Sequence, residues 1–152
     1  MARKWMLRKA TVSMGARVDR TTNEGVSTLS VAAIQGRLEV CKLLIAKGAD
    51  VNQETNSGLS PWFAACMEGH LNIVEFFVEN GQDIEFMHSN GLTGLMVASL
   101  KGHANVVRFF LSKGARTDRT GVNGKTARDA AVEKGHGEIV ELLTRHASAS
   151  AN

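Results

Sequence analysis

Apolar residues in this chain arrive in short bursts at spacings of three and four. Leu29, Ala32 and Ala33 form one burst, closed by Gly36; Leu38, Val40, Leu43, Leu44 and Ile45 form the next, closed by Gly48. Such spacings line residues along one face of a helix. A glycine just past the last apolar position can take the left-handed conformation that ends a helix. The pattern therefore predicts two short helices joined by a tight turn, with both apolar sets facing a common core. The mixed stretch Ala49-Asp50-Val51-Asn52 follows, and then a turn signal. Each unit reads as helix, turn, helix and an extended, hairpin-like loop.

The unit recurs every thirty-three residues. Gly25, Gly58, Gly91 and Gly124 make one ladder at that period, Gly36, Gly69, Gly102 and Gly135 a second, and Gly15, Gly48, Gly81 and Gly114 a third. Three ladders at one period make this a repeat protein. A unit this short cannot bury its own apolar face, so it must stack on its neighbours and present equivalent positions in register. A surface of that kind suits binding better than catalysis.

The residues between the glycines resemble the ankyrin repeat. The resemblance rests on the Gly-His steps at 69–70, 102–103 and 135–136, and on the paired apolars Leu43-Leu44, Phe76-Phe77, Phe109-Phe110 and Leu142-Leu143. It implies an all-α ankyrin-repeat solenoid of stacked helix-turn-helix units that binds a partner protein or peptide through its concave face. One domain is expected over 1–152, with repeats at 24–56, 57–89 and 90–122, a capping repeat at 123–147 and a frayed tail at 148–152. Residues 1–23 align only with the second half of a repeat. Either Trp5, Leu7 and Val12 make a half-repeat cap, or the chain is cut from a longer array.

Departures from the family pattern fall in the tetrapeptide that opens each first helix, Thr-Pro-Leu-His in the family. Here it reads Ser27-Thr28-Leu29-Ser30, Ser60-Pro61-Trp62-Phe63, Thr93-Gly94-Leu95-Met96 and Thr126-Ala127-Arg128-Asp129. The family's histidine bridges neighbouring loops. Its loss implies that packing at Phe63 and Met96 replaces the polar bridge. Gly94 inside a helical turn costs up to about 1 kcal/mol against alanine. Arg128 replaces the core-facing Leu29, Trp62 and Leu95, which marks the fourth unit as a polar end cap.

Charge refines the picture at one end. The chain of 152 residues carries +3, yet its first twenty residues hold Arg3, Lys4, Arg8, Lys9, Arg17 and Arg20 against Asp19 alone. A basic start can touch nucleic acid, a membrane surface or an acidic partner, can act as a mitochondrial presequence, or can be a solvated face at the end of a stack. Its register with the repeat at Gly15 favours the last. The sequence shows no membrane span, secretory signal or lipidation motif. Cys41 and Cys66 match no metal or redox spacing, and two free thiols suit a cytoplasmic or nuclear protein.

Catalytic and metal chemistry find little support. His70, His103 and His136 lie one repeat apart, whereas packed helices sit about 8–10 Å apart and zinc ligands about 2 Å from the ion. A structural role in the Gly-His turn is the expectation, with no metal and no cofactor. Gly124-Lys125-Thr126 echoes the end of a phosphate-binding loop, but Arg119 stands where the earlier glycine is required. Cys41 has apolar helical neighbours and reads as an inert thiol. The chain reads as a non-enzyme and a monomer.

Two rows of positions stand out for binding. Val26, Leu59, Leu92 and Lys125 follow the turn glycine; Ile34, Met67, Leu100 and Glu133 sit two before the helix-ending glycine. Both rows are apolar through three repeats and charged in the fourth. Either they pack inward, or they form an apolar stripe that takes an amphipathic helix or extended segment, bordered by Glu68 and Lys101. Phe86 and Met87 are further candidates, because Gln53, Glu54, Arg119 and Thr120 at the equivalent positions are polar. The resemblance also allows an inhibitor that occludes an enzyme such as a kinase. It makes Asn52 a possible substrate of asparaginyl hydroxylase, against the plainer reading of a structural loop residue.

Overall fold

The computed structural model describes residues 27–55 and 57–151, with the side chains of the last two left aside. Among the described residues there are eight helices. They are α1 (Thr28–Gln35), α2 (Leu38–Ala46), α3 (Pro61–Glu68), α4 (Leu71–Glu79), α5 (Gly94–Lys101), α6 (Ala104–Ser112), α7 (Ala127–Lys134) and α8 (Gly137–Ala151). The fold is all-α, and Met87 and Thr93 form an isolated antiparallel bridge.

Local chemistry sets each boundary. The residue before each first helix is Ser27, Ser60, Thr93 or Thr126. Each hydroxyl accepts the backbone N–H three residues on, at 3.1, 3.1, 3.3 and 3.2 Å. These bonds satisfy one of the donors a helix start leaves unpaired. Each first helix ends at a glycine; Gly36, at φ 75°, lets the Arg37 N–H reach back to the Ala32 carbonyl at 3.0 Å. A side chain there would strain the backbone. The second helices close in the same way, Ala49 bonding Leu44 and Ala115 bonding Phe110, both at 3.0 Å. All ten positive-φ residues among those described are glycines of the three ladders.

The expected hairpin-like loops form. The N–H groups of Thr55, His88 and Gly121 donate to the carbonyls of Leu59, Leu92 and Lys125 at 2.7, 3.0 and 3.0 Å. At each tip the turn glycine closes back, as Gly91 N–H does on His88 at 2.8 Å.

The chain divides into two compact units within the second repeat. One holds the residues through Ala65 with Asn72–Gln82; the other holds Cys66–Leu71 and everything from Asp83. In the first unit α1 packs on α2, and Leu29, Ala33, Cys41, Leu44 and Ile45 are buried. In the second, first helix stacks on first helix and second on second: α5 on α7, α6 on α8. Val106, Phe110, Ile139 and Leu143 fill that core, each contributing about 1.5–3 kcal/mol by leaving water.

Two expectations need amendment. Val40 and Leu43, read as part of the buried face of α2, are exposed; the spacing fixes a helix face but not whether a neighbour covers it. The tail from 148, read as frayed, continues α8 to Ala151. Its Ala-rich sequence favours that continuation, because alanine loses no side-chain entropy in a helix. The cap position of the altered tetrapeptide behaves as a working substitute. Phe63 and Met96 are buried, and the Met96 sulfur accepts the Thr93 N–H at 3.5 Å. Gly94 opens α5 and is itself buried.

Candidate functional site

The two rows singled out in the sequence lie at fixed places in the unit. Leu59 and Leu92 follow the loop tips; Ile34, Met67 and Leu100 lie in the last turn of α1, α3 and α5. All five are half-buried, and Glu68 and Lys101 beside them are exposed. Val26 lies outside the described residues, as do Arg3, Lys4, Arg8 and Lys9.

The fourth repeat shows how the rows relate. Lys125, of the loop row, and Glu133, eight positions later in the helix row, form an ion pair. Side chains at the two rows therefore reach one another within a repeat. Leu92 and Leu100 hold the same two positions in the third repeat. Two apolar positions in one repeat are held by an ion pair in the next.

The helix row is held from behind. The His103 Nε2–H donates to the Met67 carbonyl at 2.7 Å, and the His136 Nε2–H to the Leu100 carbonyl at 3.1 Å. The carbonyl partner fixes the tautomer. Each ring lies over the glycine that ends the helix: a Cβ on Gly69 would stand 2.4 Å from His103 Nδ1, and one on Gly102 2.7 Å from His136 Cε1. So the Gly-His step is a bridge between successive repeats. It anchors the backbone under Met67 and Leu100, the two row residues it reaches. Preorganised side chains lose less entropy on binding.

The sequence reading missed two features here. Val122 is 86% exposed and lies against Gly91, where a Cβ would come within 2.5 Å of its Cγ1. This puts another apolar side chain beside Leu92 at the loop tip; Ser89 at the equivalent position gives a signal only by contrast. The second feature is a polar clamp between loops. The Glu85 carboxylate accepts the Arg116 N–H at 2.9 Å and stands 3.7 Å from Arg119 Nη1, which itself donates to the Glu85 carbonyl at 2.6 Å. Arg116 also holds Asp118 through two bonds at 3.1 Å, which keeps the Asp118 carboxyl below its usual range. The clamp joins the loops of the second and third repeats. Phe86, beside it, is half-buried and meets His88 edge-on at 5.2 Å; Met87 is half-buried too.

Asn52 is committed to its neighbours. Its N–H donates to Asp50 Oδ1 at 2.9 Å and its Oδ1 accepts from Gln82 Nε2 at 3.1 Å. Both cysteines are buried. Burial pushes the Cys41 thiol up to about 11 and the Cys66 thiol well above its ordinary value. Little thiolate then exists near neutral pH, and the thiolate is the reactive form. No helix among the described residues is long and apolar enough to cross a membrane.

A family model for ankyrin repeats, in three copies, matches residues 4–88 and 62–152. No curated protein matches the chain.

Proposed function

Since the chain belongs to the ankyrin-repeat family, whose members are generally protein–protein interaction modules and typically non-catalytic, we propose that it binds a partner protein through its loop tips and first helices and performs no reaction. Leu59 supplies the contact in the first unit; Met67, Leu92 and Leu100 supply it in the second. The observation that carries this reading is the Lys125–Glu133 pair. It supports a reading in which the two rows present one surface within a repeat, apolar where Leu92 and Leu100 stand and charged in the fourth repeat.

Half-burial suits such a surface. The stems of these side chains are fixed against the fold while their tips remain available, so binding removes apolar area from water at small cost in side-chain order. Met67 adds adaptability, being unbranched and polarizable. The partner that fits is an amphipathic helix or an extended apolar segment, with Glu68 and Lys101 setting its orientation and rate of encounter.

The test is affinity capture from lysate with the wild type and with Leu59→Glu/Leu92→Glu, circular dichroism confirming that both are folded. A protein retained by the wild type and lost by the variant, with binding little changed by salt, supports the reading. Identical captures reject it. Loss of all binding as salt rises would instead favour contact through charge.

A further inference from the structure

Asparagine followed by glycine is a chemically labile pair. With no Cβ on the second residue, its backbone nitrogen can swing onto the asparagine carboxamide carbon. The chain contains three such pairs, Asn80-Gly81, Asn90-Gly91 and Asn123-Gly124.

The fold treats the three differently. Asn80 follows α4 and is 6% exposed. Its Nδ2–H donates to the Phe76 carbonyl at 2.8 Å, and the Gly81 N–H is held by the Val78 carbonyl at 3.0 Å. Asn90 and Asn123 are exposed and sit in equivalent turns. Each Oδ1 accepts the N–H two residues on, of Leu92 or Lys125, at 3.1 Å. Each following glycine N–H donates to the carbonyl three residues back, Gly91 to His88 at 2.8 Å and Gly124 to Gly121 at 2.9 Å. What separates these two turns is cover. Gly91 is buried: a Cβ on it would stand 2.5 Å from Val122 Cγ1, and one on Gly121 would stand 3.1 Å from the Gly91 carbonyl oxygen. The next hairpin thus lies against the Asn90 turn. Gly124 is exposed, and a Cβ on it would meet nothing within 4 Å among the described residues.

We propose that Asn123 is a spontaneous deamidation site of this chain, while the fold shields Asn80 and Asn90. The Gly124 nitrogen loses its proton to a base in the solvent and bonds to Asn123 Cγ. The Cγ–Nδ2 bond breaks, and ammonia leaves after taking a proton from water. The product is a five-membered cyclic imide. Water then adds to one of its two carbonyls and breaks that carbonyl's bond to nitrogen, giving aspartate or isoaspartate; overall one water enters and one ammonia departs. The turn must first release the Gly124 N–H from Gly121, and a turn that nothing covers opens at low cost. Either product puts a carboxylate at the tip of the loop that carries Lys125. Isoaspartate also adds a methylene to the main chain, inside the turn that the Gly121 N–H and the Lys125 carbonyl close at 3.0 Å.

The test needs no partner. The full chain is incubated at mildly alkaline pH, with and without urea. It is then cut with trypsin and a glutamate-specific protease, which put Asn80, Asn90 and Asn123 in separate fragments, 80–85, 86–101 and 120–125. Mass spectrometry follows the amide-to-acid exchange in each. In the folded chain Asn123 converts at least about tenfold faster than Asn90 or Asn80, because a shielded site reacts only through its open population. In urea all three are open and their rates converge. Val122→Gly, at a side chain that is 86% exposed, leaves circular dichroism native and speeds Asn90 several-fold by uncovering Gly91. Asn90 or Asn80 converting as fast as Asn123 in the folded chain overturns the proposal. So does a rank order that urea leaves unchanged, for then the flanking sequence and not the fold selects the site. An Asn90 rate indifferent to Val122→Gly overturns the shielding on which the choice of Asn123 rests.

Discussion

The third and fourth repeats share a backbone and differ in almost everything they show to water. Both first helices begin at a threonine cap and end at a left-handed glycine, and both second helices bury their central apolar residues, Phe110 and Leu143. Yet Leu95, buried, becomes Arg128, exposed and bonded to Thr144 at 2.9 Å. Leu92 and Leu100 become the Lys125–Glu133 pair. Met96, closing its cap with sulfur, becomes Asp129, closing the same cap with a carboxylate at 3.0 Å. The glycines, caps and inner face are what the fold requires. The remaining positions are free to say whether another surface follows.

The sharpest way to break this comparison is to make the same substitution at the same position in both repeats. Leu95→Ala removes a buried side chain and leaves a cavity, and should cost about 2–5 kcal/mol. Arg128→Ala should change stability by about 0.5 kcal/mol or less, as surface changes generally do. Urea unfolding of the two variants measures both. Similar losses would mean that the fourth repeat has its core side reversed.

The caps offer a smaller effect with a different dependence on acid. Thr93→Ala and Thr126→Ala should each cost about 1 kcal/mol near neutral pH, the usual worth of such a cap. Only the fourth repeat closes its cap with a titrating group. Hydrogen bonds from the Thr126 backbone and side chain hold the Asp129 carboxyl below its ordinary value. Its contribution is thus fully present above the unfolded carboxyl value, about 3.9, and is lost as the pH falls through the lower, folded one. Asp129→Asn should accordingly destabilise at pH 6, with the difference from wild type vanishing under strong acid. Met96→Leu should show a difference that does not move with pH. Thermal unfolding across that range separates them, and a pH-independent Asp129→Asn effect would remove the carboxylate from the cap.

What the sequence made legible follows the same division. The glycine ladders and the inner positions Leu29, Trp62 and Leu95 could be read because each depends on its own backbone and its own helix. Val40 and Leu43 were misread because a helical spacing gives a face but not what covers it. The Glu85 clamp and the anchoring of Met67 by His103 escaped because each joins residues more than thirty apart, and only the stacking of repeats brings them together. The Lys125–Glu133 pair was visible as two charges ending two apolar rows, but not as a contact.

The smallest effect concerns a position where the third repeat looks worse than the fourth. Ser99 is fully buried, and its hydroxyl is one of the buried side-chain atoms without a hydrogen-bond partner among the described residues. Its equivalents are Ala33, Cys66 and Val132, so the register never requires an oxygen there. A buried hydroxyl left unpaired costs about 1–3 kcal/mol relative to one that is paired, and removing it gives up only one atom of packing. Ser99→Ala should therefore raise stability, by about 0.5–1 kcal/mol, with the fold and any partner binding unchanged. Val132→Ser, on the exposed equivalent, should leave stability within about 0.5 kcal/mol, since water supplies the partner that Ser99 lacks. A Ser99→Ala variant that unfolds earlier in urea than the wild type would mean that the hydroxyl is bonded in solution, and that the inner face of the third repeat tolerates polarity as the fourth repeat's outer face does.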